Sequence, residues 1–466
     1  MKKKIYKYKK YLLFIIPVII LSFILLGFWP GIYTYDGNNQ WGQVVSGNIN
    51  NAHPFFSTYF ILLLSKIWNS QTMIIIYQII LFSLIWYIIC KDLLEEKKNY
   101  KSILIYTIII CLVPIISIYA ITVWKDIIYS YYLLFISYFL YKGAKVDFNY
   151  KTSNLIIIGL LLGFIFSYRH NGMIAAIILL LFILVVFIKK KMNFKKSLIV
   201  LITFIVFIGG VSVPKNYYLS KNNEKIDQAS TVSIIDNYMT WIMGTYIVND
   251  YISDEDLNFL SNYIEIEEWK KVYNAYLINS TNLAKTKDNK FINENIEQFH
   301  DIFIKYSIKH PTALIIHYLK ADALLWSPFP IGYVYQYDFK LWGPDYGFEN
   351  DNSSKILIFK KVYEKAITIT MKKPIRIILY QPATIMYISL MLLFVLHKAT
   401  KNKKFWFLCI PMIANIISLL PINLAQDLRY VYINYLTVAY VGLMCVVNFK
   451  DISKYFKCIL LNKKTK

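Results

Sequence analysis

Four short stretches hold ionisable residues at the ends of the long apolar runs of this chain. The first is Trp29-Pro-Gly-Ile-Tyr33-Thr-Tyr35-Asp36-Gly37-Asn-Asn-Gln40-Trp41, continuing through Gly47 to His53-Pro54. The others are Trp124-Lys125-Asp126, Tyr168-Arg169-His170-Asn171-Gly172 and Asn423-Leu-Ala-Gln-Asp427-Leu-Arg429-Tyr430. Together they supply three carboxylates, Asp36, Asp126 and Asp427, and three cations, Lys125, Arg169 and Arg429. A carboxylate within hydrogen-bond reach can take the proton of an attacking hydroxyl. Cations placed where negative charge develops stabilise an anionic leaving group. Each stretch also has a simpler reading. Asp36-Gly37 is a common turn pair, Lys125 and Arg169 could snorkel to lipid headgroups, and Asp427 with Arg429 could be a span-end ion pair. His53 and His170 lack metal-ligand spacing and read as hydrogen-bonding residues. The joint occurrence of these groups favours a common site.

Other signatures are missing. The sequence contains no GxxxxGK[ST], HExxH or GxSxG pattern, so nucleotide hydrolysis and the commoner protease and hydrolase chemistries have no support. Its five cysteines, at 90, 111, 409, 445 and 458, form no CxxC pair and indicate neither a zinc ribbon nor a disulfide scaffold.

The elements that must carry these residues follow from composition. The chain has 466 residues, 57% of them hydrophobic and only 17% charged, with a net charge of +23. Soluble domains average about 25% charged residues, and the positive mean hydropathy argues against a nucleic-acid binder despite the charge. The expected class is an all-α polytopic membrane protein. About ten runs have the length to cross a bilayer core of about 30 Å, over 11–28, 72–90, 103–121, 127–141, 154–168, 172–188, 197–213, 376–396, 405–421 and 430–448. The first follows a basic stretch without a small-residue cleavage site and reads as an uncleaved span. With the N-terminus in the cytoplasm, 28 of the 51 Lys and Arg fall in the inner segments, while the short outer ones hold only Lys66, Lys125, Arg169 and Arg429. That asymmetry is what the positive-inside rule selects. Residues 55–68 are apolar but short and contain Ser57, Thr58, Ser65 and Lys66, so they read as an interfacial helix rather than a span.

The resulting organisation is an N-terminal transmembrane module over 1–213 with about seven spans, a mostly helical extracytoplasmic domain over 214–375, a C-terminal module over 376–450 with about three spans, and a basic cytoplasmic tail over 451–466. Within the outer domain, Ser253 to Asp256 has capping-box-like spacing, Glu265–Ile278 and Phe291–Ile308 have helical periodicity, and Pro311 opens a helix that runs to Trp326. Residues 331–352 read as an ordered loop. In this topology all four ionisable stretches lie at the outer face and the span middles are free of Asp, Glu, Lys and Arg. Coupled transporters usually place ionisable groups near the midplane and show repeated halves. An enzyme acting at the outer leaflet on a lipid-linked substrate fits better.

The pattern Trp-Pro-Gly…Asp36…Gln40…Gly47…His53-Pro54, with Trp124-Lys125-Asp126, Arg169-His170-Asn171-Gly172 and Asp427-Leu-Arg429-Tyr430, resembles the GT-C superfamily of polytopic glycosyltransferases, especially bacterial members related to the protein mannosyltransferase and aminoarabinose transferase group. The likeness covers 1–210 and 376–450 but not the outer domain, and the first loop has one Asp where the mannosyltransferases have an Asp-Glu pair. The resemblance implies hexosyl or pentosyl transfer from a polyprenyl-phosphate donor to a glycan, lipid or protein acceptor of the cell envelope, at the cell membrane; the hydropathy argues against a nucleic-acid partner, and the Lys and Arg asymmetry with ten spans puts both termini in the cytoplasm. Asp36 is then the first choice of base, and Lys125, Arg169 and Arg429 the candidates for the leaving phosphate. Asp126 could orient a cation, bind acceptor hydroxyls or help hold a divalent metal ion; which of these, and the metal ligands themselves, stay open. The aromatic residues Trp29, Tyr33, Tyr35, Trp41 and Trp124 could stack on sugars, although interfacial belts use the same residues. Two other readings are an O-antigen polymerase or ligase-like enzyme, and a lipid-linked sugar flippase or transporter.

Overall fold

The computed structural model describes residues 2–50, 53–97, 99–222, 234–329, 331–332 and 354–464. It is all-α: among the described residues there is no strand, only two isolated bridges, Ile32 with Thr122 and Leu277 with Ala425. The chain divides into two compact units. One comprises Met1–Asn222, Phe339–Ser418 and Arg429–Lys466; the other comprises Asn223–Asp338 and Leu419–Leu428.

The first unit begins with α1 (Lys2–Gly27), α2 (Tyr35–Ser46), α3 (Phe55–Ser65), α4 (Thr72–Lys97), α5 (Tyr100–Leu112), α6 (Pro114–Ala120), α7 (Lys125–Lys145), α8 (Thr152–Tyr168), α9 (His170–Lys189) and α10 (Phe194–Asn222). Apolar side chains stand exposed along the outsides of these helices, among them Ile19, Ile109, Leu181, Ile205 and Val206. Patches of that extent are not stable against water but are ordinary against lipid. At 11 residues α3 spans only about 16 Å, half a bilayer core, which agrees with its reading as a non-spanning helix.

The second unit's described portion carries α11 (Ile234–Ile247), α12 (Asp254–Ser261), α13 (Ile266–Val272), α14 (Asn279–Asn282), α15 (Asn289–Glu294), α16 (Ile296–Lys309), α17 (Pro311–Ala321) and α18 (Ala323–Trp326). Its core is aromatic: Trp241, Tyr246, Tyr263, Trp269, Phe299 and Tyr306 are buried together. The expected helices are present but more broken. The first stops at Val272 because Tyr273 is extended, and Asn295 separates α15 from α16. The helix opened by Pro311 is interrupted at Asp322. Ser253 caps α12 by position, yet its hydroxyl donates to Asp256 Oδ2 at 3.0 Å instead of accepting a helix N–H. Of the loop expected over 331–352, all but Ile331 and Gly332 lies outside the described residues.

The chain returns to the first unit with α19 (Leu357–Thr370), α20 (Ile375–Tyr380), α21 (Pro382–Thr400), α22 (Ile410–Leu419), α23 (Ile433–Val447) and α24 (Phe449–Lys464). Among the described residues, six segments are long and apolar enough to cross a membrane: Lys10–Gly27, Thr72–Glu96, His170–Lys189, Phe194–Ser220, Pro382–Thr400 and Leu428–Val447. That is fewer than the ten expected, and each shortfall has a local cause. The third expected span is α5 plus α6, bent by 69° where Pro114 removes a backbone donor. The fourth is α7, whose Tyr and Ser residues are mostly buried by neighbouring helices, so that lipid does not dictate its composition. The fifth is α8, of 17 residues, and the ninth divides into a 3₁₀ turn, Lys403–Leu408, and the ten-residue α22. The long apolar helices fit a multi-pass membrane protein.

Candidate functional site

The first unit gathers the ionisable residues at the ends of α2, α7 and α9 and in the 3₁₀ turn Leu428–Val431. Positioning starts with the backbone. Val123 N–H donates to Ile32 C=O at 2.9 Å and Ile32 N–H to Ile121 C=O at 3.0 Å, so the segment before α2 is pinned to the segment before α7. Thr34 strengthens the junction: its hydroxyl donates to Val123 C=O at 2.8 Å and accepts from Gly37 N–H at 3.1 Å, capping α2. Asp36 thus lies in the first turn of a helix and not in an Asp-Gly turn. Gly37 is required by proximity, since a Cβ there would lie 2.9 Å from both Val123 O and Val123 Cγ1. Gln40 ties α2 to α3 by donating to Ser57 at 2.8 Å and Thr58 at 3.1 Å.

Two carboxylates and three cations meet on this frame. Asp36 Oδ2 accepts from Arg429 Nη1 at 2.6 Å and lies 3.8 Å from Lys125 Nζ. Lys125 also donates to His53 Nδ1 at 3.1 Å. Deeper in, Arg169 Nε is 2.8 Å from Asp126 Oδ1, with side-chain exposures of 8% and 1%. The Asp36 side chain is 23% exposed, and Arg429 and Lys125 lie between, at 15% and 11%. Aromatic faces complete the arrangement. The Arg429 guanidinium sits 5.1 Å from the Trp124 ring centre and 5.2 Å from that of Tyr430, and Arg169 sits 4.7 Å from the Tyr430 ring. Such contacts hold a guanidinium in place without neutralising it.

Burial pushes the Asp36 carboxyl up, but the adjacent Arg429 and Lys125 charges outweigh it and hold the group well below the usual carboxylate range. His53 is lowered to about 4, first by burial and then by Lys125, so it is neutral near pH 7 and can accept the Lys125 hydrogen bond.

Asp36, Lys125, Asp126, Arg169, Arg429 and His53 therefore come together. His170 is exposed at the first position of α9, close enough for its charge to act on His53. Asp427 belongs to the other compact unit, where its N–H donates to Ala425 C=O at 2.8 Å. Trp124, weighed as a sugar-stacking residue, lies instead against Arg429. Sequence reasoning missed the buried support beneath the cations. Asn415 donates to Tyr430 C=O at 2.9 Å, and its Oδ1 accepts from Tyr129 at 3.1 Å and Asn171 at 3.2 Å, while Asn171 also donates to Ser418 at 2.9 Å. An Asn and a Ser inside the otherwise apolar 405–421 run were the available signal. The helical state of α2 was also announced, by Thr34 before it and Gly47, left-handed with φ 72°, after it.

Among the described residues no three His, Cys, Asp or Glu side chains are grouped to hold a metal ion, and both site carboxylates already face cations. Comparisons with protein-family models, curated proteins and solved structures find no match to this chain.

Proposed function

We propose that the protein is a ten-span glycosyltransferase of the cell membrane, with cytoplasmic termini and an outer-facing site that transfers a sugar from a polyprenyl-phosphate donor to a hydroxyl of a cell-envelope acceptor. The observation that carries this reading is the juxtaposition, in one unit, of an accessible carboxylate with cations that can receive a phosphate. In the reaction the acceptor O–H gives its proton to Asp36, a bond forms between the acceptor oxygen and the anomeric carbon, and the bond from that carbon to the phosphate oxygen breaks. The electron pair leaves on the lipid phosphate, which gains one negative charge. Arg429 and Lys125 stabilise that charge as it develops. Asp126 lies too deep to meet the acceptor and holds Arg169 against the Tyr430 backbone, to which Arg169 Nη1 donates at 3.3 Å. No step is assigned to a metal.

Asp36→Asn is the direct test. In membranes containing the protein, transfer of label from a polyprenyl-phosphate sugar should fall by about a hundredfold or more, the range a general base supplies, with protein abundance unchanged. Full activity in that variant would remove Asp36 as the base. Movement of intact substrate across sealed vesicles, without transfer, would remove the enzyme reading altogether.

A further inference from the structure

At the end of α7 remote from Asp126, the same unit has a cavity of about 420 Å³, within the range of about 300–1,000 Å³ usual for small-molecule sites. The 21 residues of α7 put about 30 Å between the two ends. Glu96 in the last turn of α4, Lys145 at the end of α7, Thr400 at the end of α21 and Val447 at the end of α23 all line this cavity. Four helix C-termini therefore meet around one space, and only α24 presents its opposite end there. A helix C-terminus has carbonyls without intrahelical donors and a partial negative charge, so the field in the cavity favours a cation. The side chains act in the same direction. Lys145 is ion-paired with Glu96 and lies 4.7 Å from the Tyr141 ring centre, so its charge is already answered. Asp451, in the first turn of α24, also lines the cavity; it is exposed and has no ion-pair partner among the described residues.

We infer that this cavity binds the head group of an aminophospholipid, with the ammonium on Asp451 and the phosphate outward. A lipid fits better than a soluble amine because of where the cavity lies. Glu96, Thr400 and Val447 are each the last residue of a segment long and apolar enough to cross a membrane, so the cavity stands at the level where such segments leave the bilayer. Leu93, Phe405 and Met444 make part of the lining apolar, a surface for the glycerol and the first acyl carbons. The exposed Lys401, Lys403 and Lys450 adjoin the lining residues Asn402 and Asp451 in sequence and are placed to take the phosphate. The exposed Phe449, Phe456 and Leu460 of α24 continue the apolar surface beyond the cavity, as a helix lying in a lipid interface requires. A phospholipid without an amine gives Asp451 no partner and leaves its charge facing an anion. Recognition of the amine is thus the work of Asp451 and the four helix ends, and it is separate from any chemistry at Asp36.

The test is a binding titration on the full-length protein in detergent. The probes are a short-chain phosphatidylethanolamine, the phosphatidylglycerol with the same acyl chains, and free phosphoethanolamine. Phosphatidylethanolamine should bind about tenfold more tightly than either of the others. Asp451→Asn should weaken phosphatidylethanolamine binding about tenfold and leave phosphatidylglycerol unchanged. Ala399→Leu, which adds volume to a half-buried lining residue, should weaken phosphatidylethanolamine binding by a similar factor, and it carries the test if Asp451→Asn is not monodisperse. Equal affinity for the two lipids overturns amine recognition, because it is what adsorption to the apolar belt would give. Equal loss of both lipids in Asp451→Asn overturns it as well, since an acid that only stabilises the start of α24 would act on both alike. Phosphoethanolamine binding as tightly as the lipid overturns the assignment to a lipid, and absence of phosphatidylethanolamine binding overturns the site.

Discussion

Two carboxylates of equal chemical type occupy unequal positions in the site, and their burial predicts different mutational signatures. Asp126 is 1% exposed and compensates Arg169 in a medium that does not screen the pair. Removing one partner of such a pair typically costs about 3–5 kcal/mol, because the other charge remains buried and uncompensated. Asp126→Asn should therefore lower the melting temperature of the purified protein and its abundance. The double variant Asp126→Asn with Arg169→Met should recover a substantial part of that loss. Asp36→Asn, on the more accessible edge, should lower the melting temperature less than Asp126→Asn while affecting transfer. A small thermal effect of Asp126→Asn, measured by fluorescence-detected unfolding, would contradict this division of labour. The two acids were legible in the sequence as members of one set, because Asp36 follows Tyr33 and Tyr35, and Asp126 follows Trp124 and Lys125, each at the end of an apolar run. Their difference in depth was not, since it arises from the packing of α7 among α4, α8 and α23, which no local pattern records.

At the scale of elements, the site depends on α2 being held against the segment that precedes α7. A methyl group at Gly37 would meet Val123 O and Cγ1 at 2.9 Å, so Gly37→Ala must move the first turn of α2 and Asp36 with it. A displacement near 1 Å can cost about a hundredfold in rate when it disturbs reacting geometry. Transfer should fall by about tenfold to a hundredfold in this variant while the protein remains folded, and wild-type rates would show that the contact does not position the base. A second element has its own titration. In α17, His317 is lowered to about 3 by burial and then by Lys320, with Tyr273 hydrogen-bonded to Nδ1 at 2.8 Å and the Trp241 ring at 4.5 Å. Asp322, one residue beyond the helix, is raised to about 7 by burial, partly offset by its hydrogen bond with Asn423. His317 binds its proton more readily in the unfolded chain, so its contribution to stability rises with pH from about 3 to 6.5. Asp322 binds its proton more readily when folded, so its contribution is lost as pH rises from about 4 to 7. The two oppose each other in the overlap. Hydrogen-exchange protection of α17, corrected for intrinsic rates, should change little over that window in wild type. It should rise with pH in Asp322→Asn and fall with pH in His317→Gln; a flat profile in both variants would exclude this coupling. Pro311 and the flanking apolar periodicity made the start of α17 readable, whereas its end at Ala321 follows from buried polar contacts. Asn423 donates to Ala321 C=O at 2.7 Å and Gln426 donates to the same oxygen at 2.6 Å, from a segment a hundred residues away in sequence.

At the scale of the whole molecule, the six long apolar helices make up the ten expected spans only if α7, α8, the bent α5–α6 pair and the α22 region also cross the membrane. The chain carries a built-in probe of that question. Cys90, Cys111 and Cys409 are buried, but Cys458 is exposed on α24, beyond the last expected span. With ten crossings and a cytoplasmic N-terminus, α24 lies inside. Its Lys450, Lys454, Lys457, Lys463 and Lys464 are then on the side where basic residues collect, next to the exposed Phe449, Phe456 and Leu460 of an amphipathic surface helix. A membrane-impermeant maleimide should leave Cys458 unmodified in intact cells and label it after permeabilisation. Glu255, exposed on α12 in the region expected outside, supplies the opposite control: in Glu255→Cys the new thiol should react in intact cells. Labelling of Cys458 in intact cells together with Glu255→Cys would put both on the outside, an even number of crossings apart, and would identify the short α22 region, between α21 and α23, as a segment that enters the membrane without crossing it. Labelling of Cys458 alone would invert the chain and place Asp36 and its cations in the cytoplasm, where the outer-leaflet chemistry could not occur. The basic residues therefore bear on the function through topology, because the same positive charge that fixes which loops stay inside decides whether the Asp36 cluster can meet a lipid-linked substrate at the outer face.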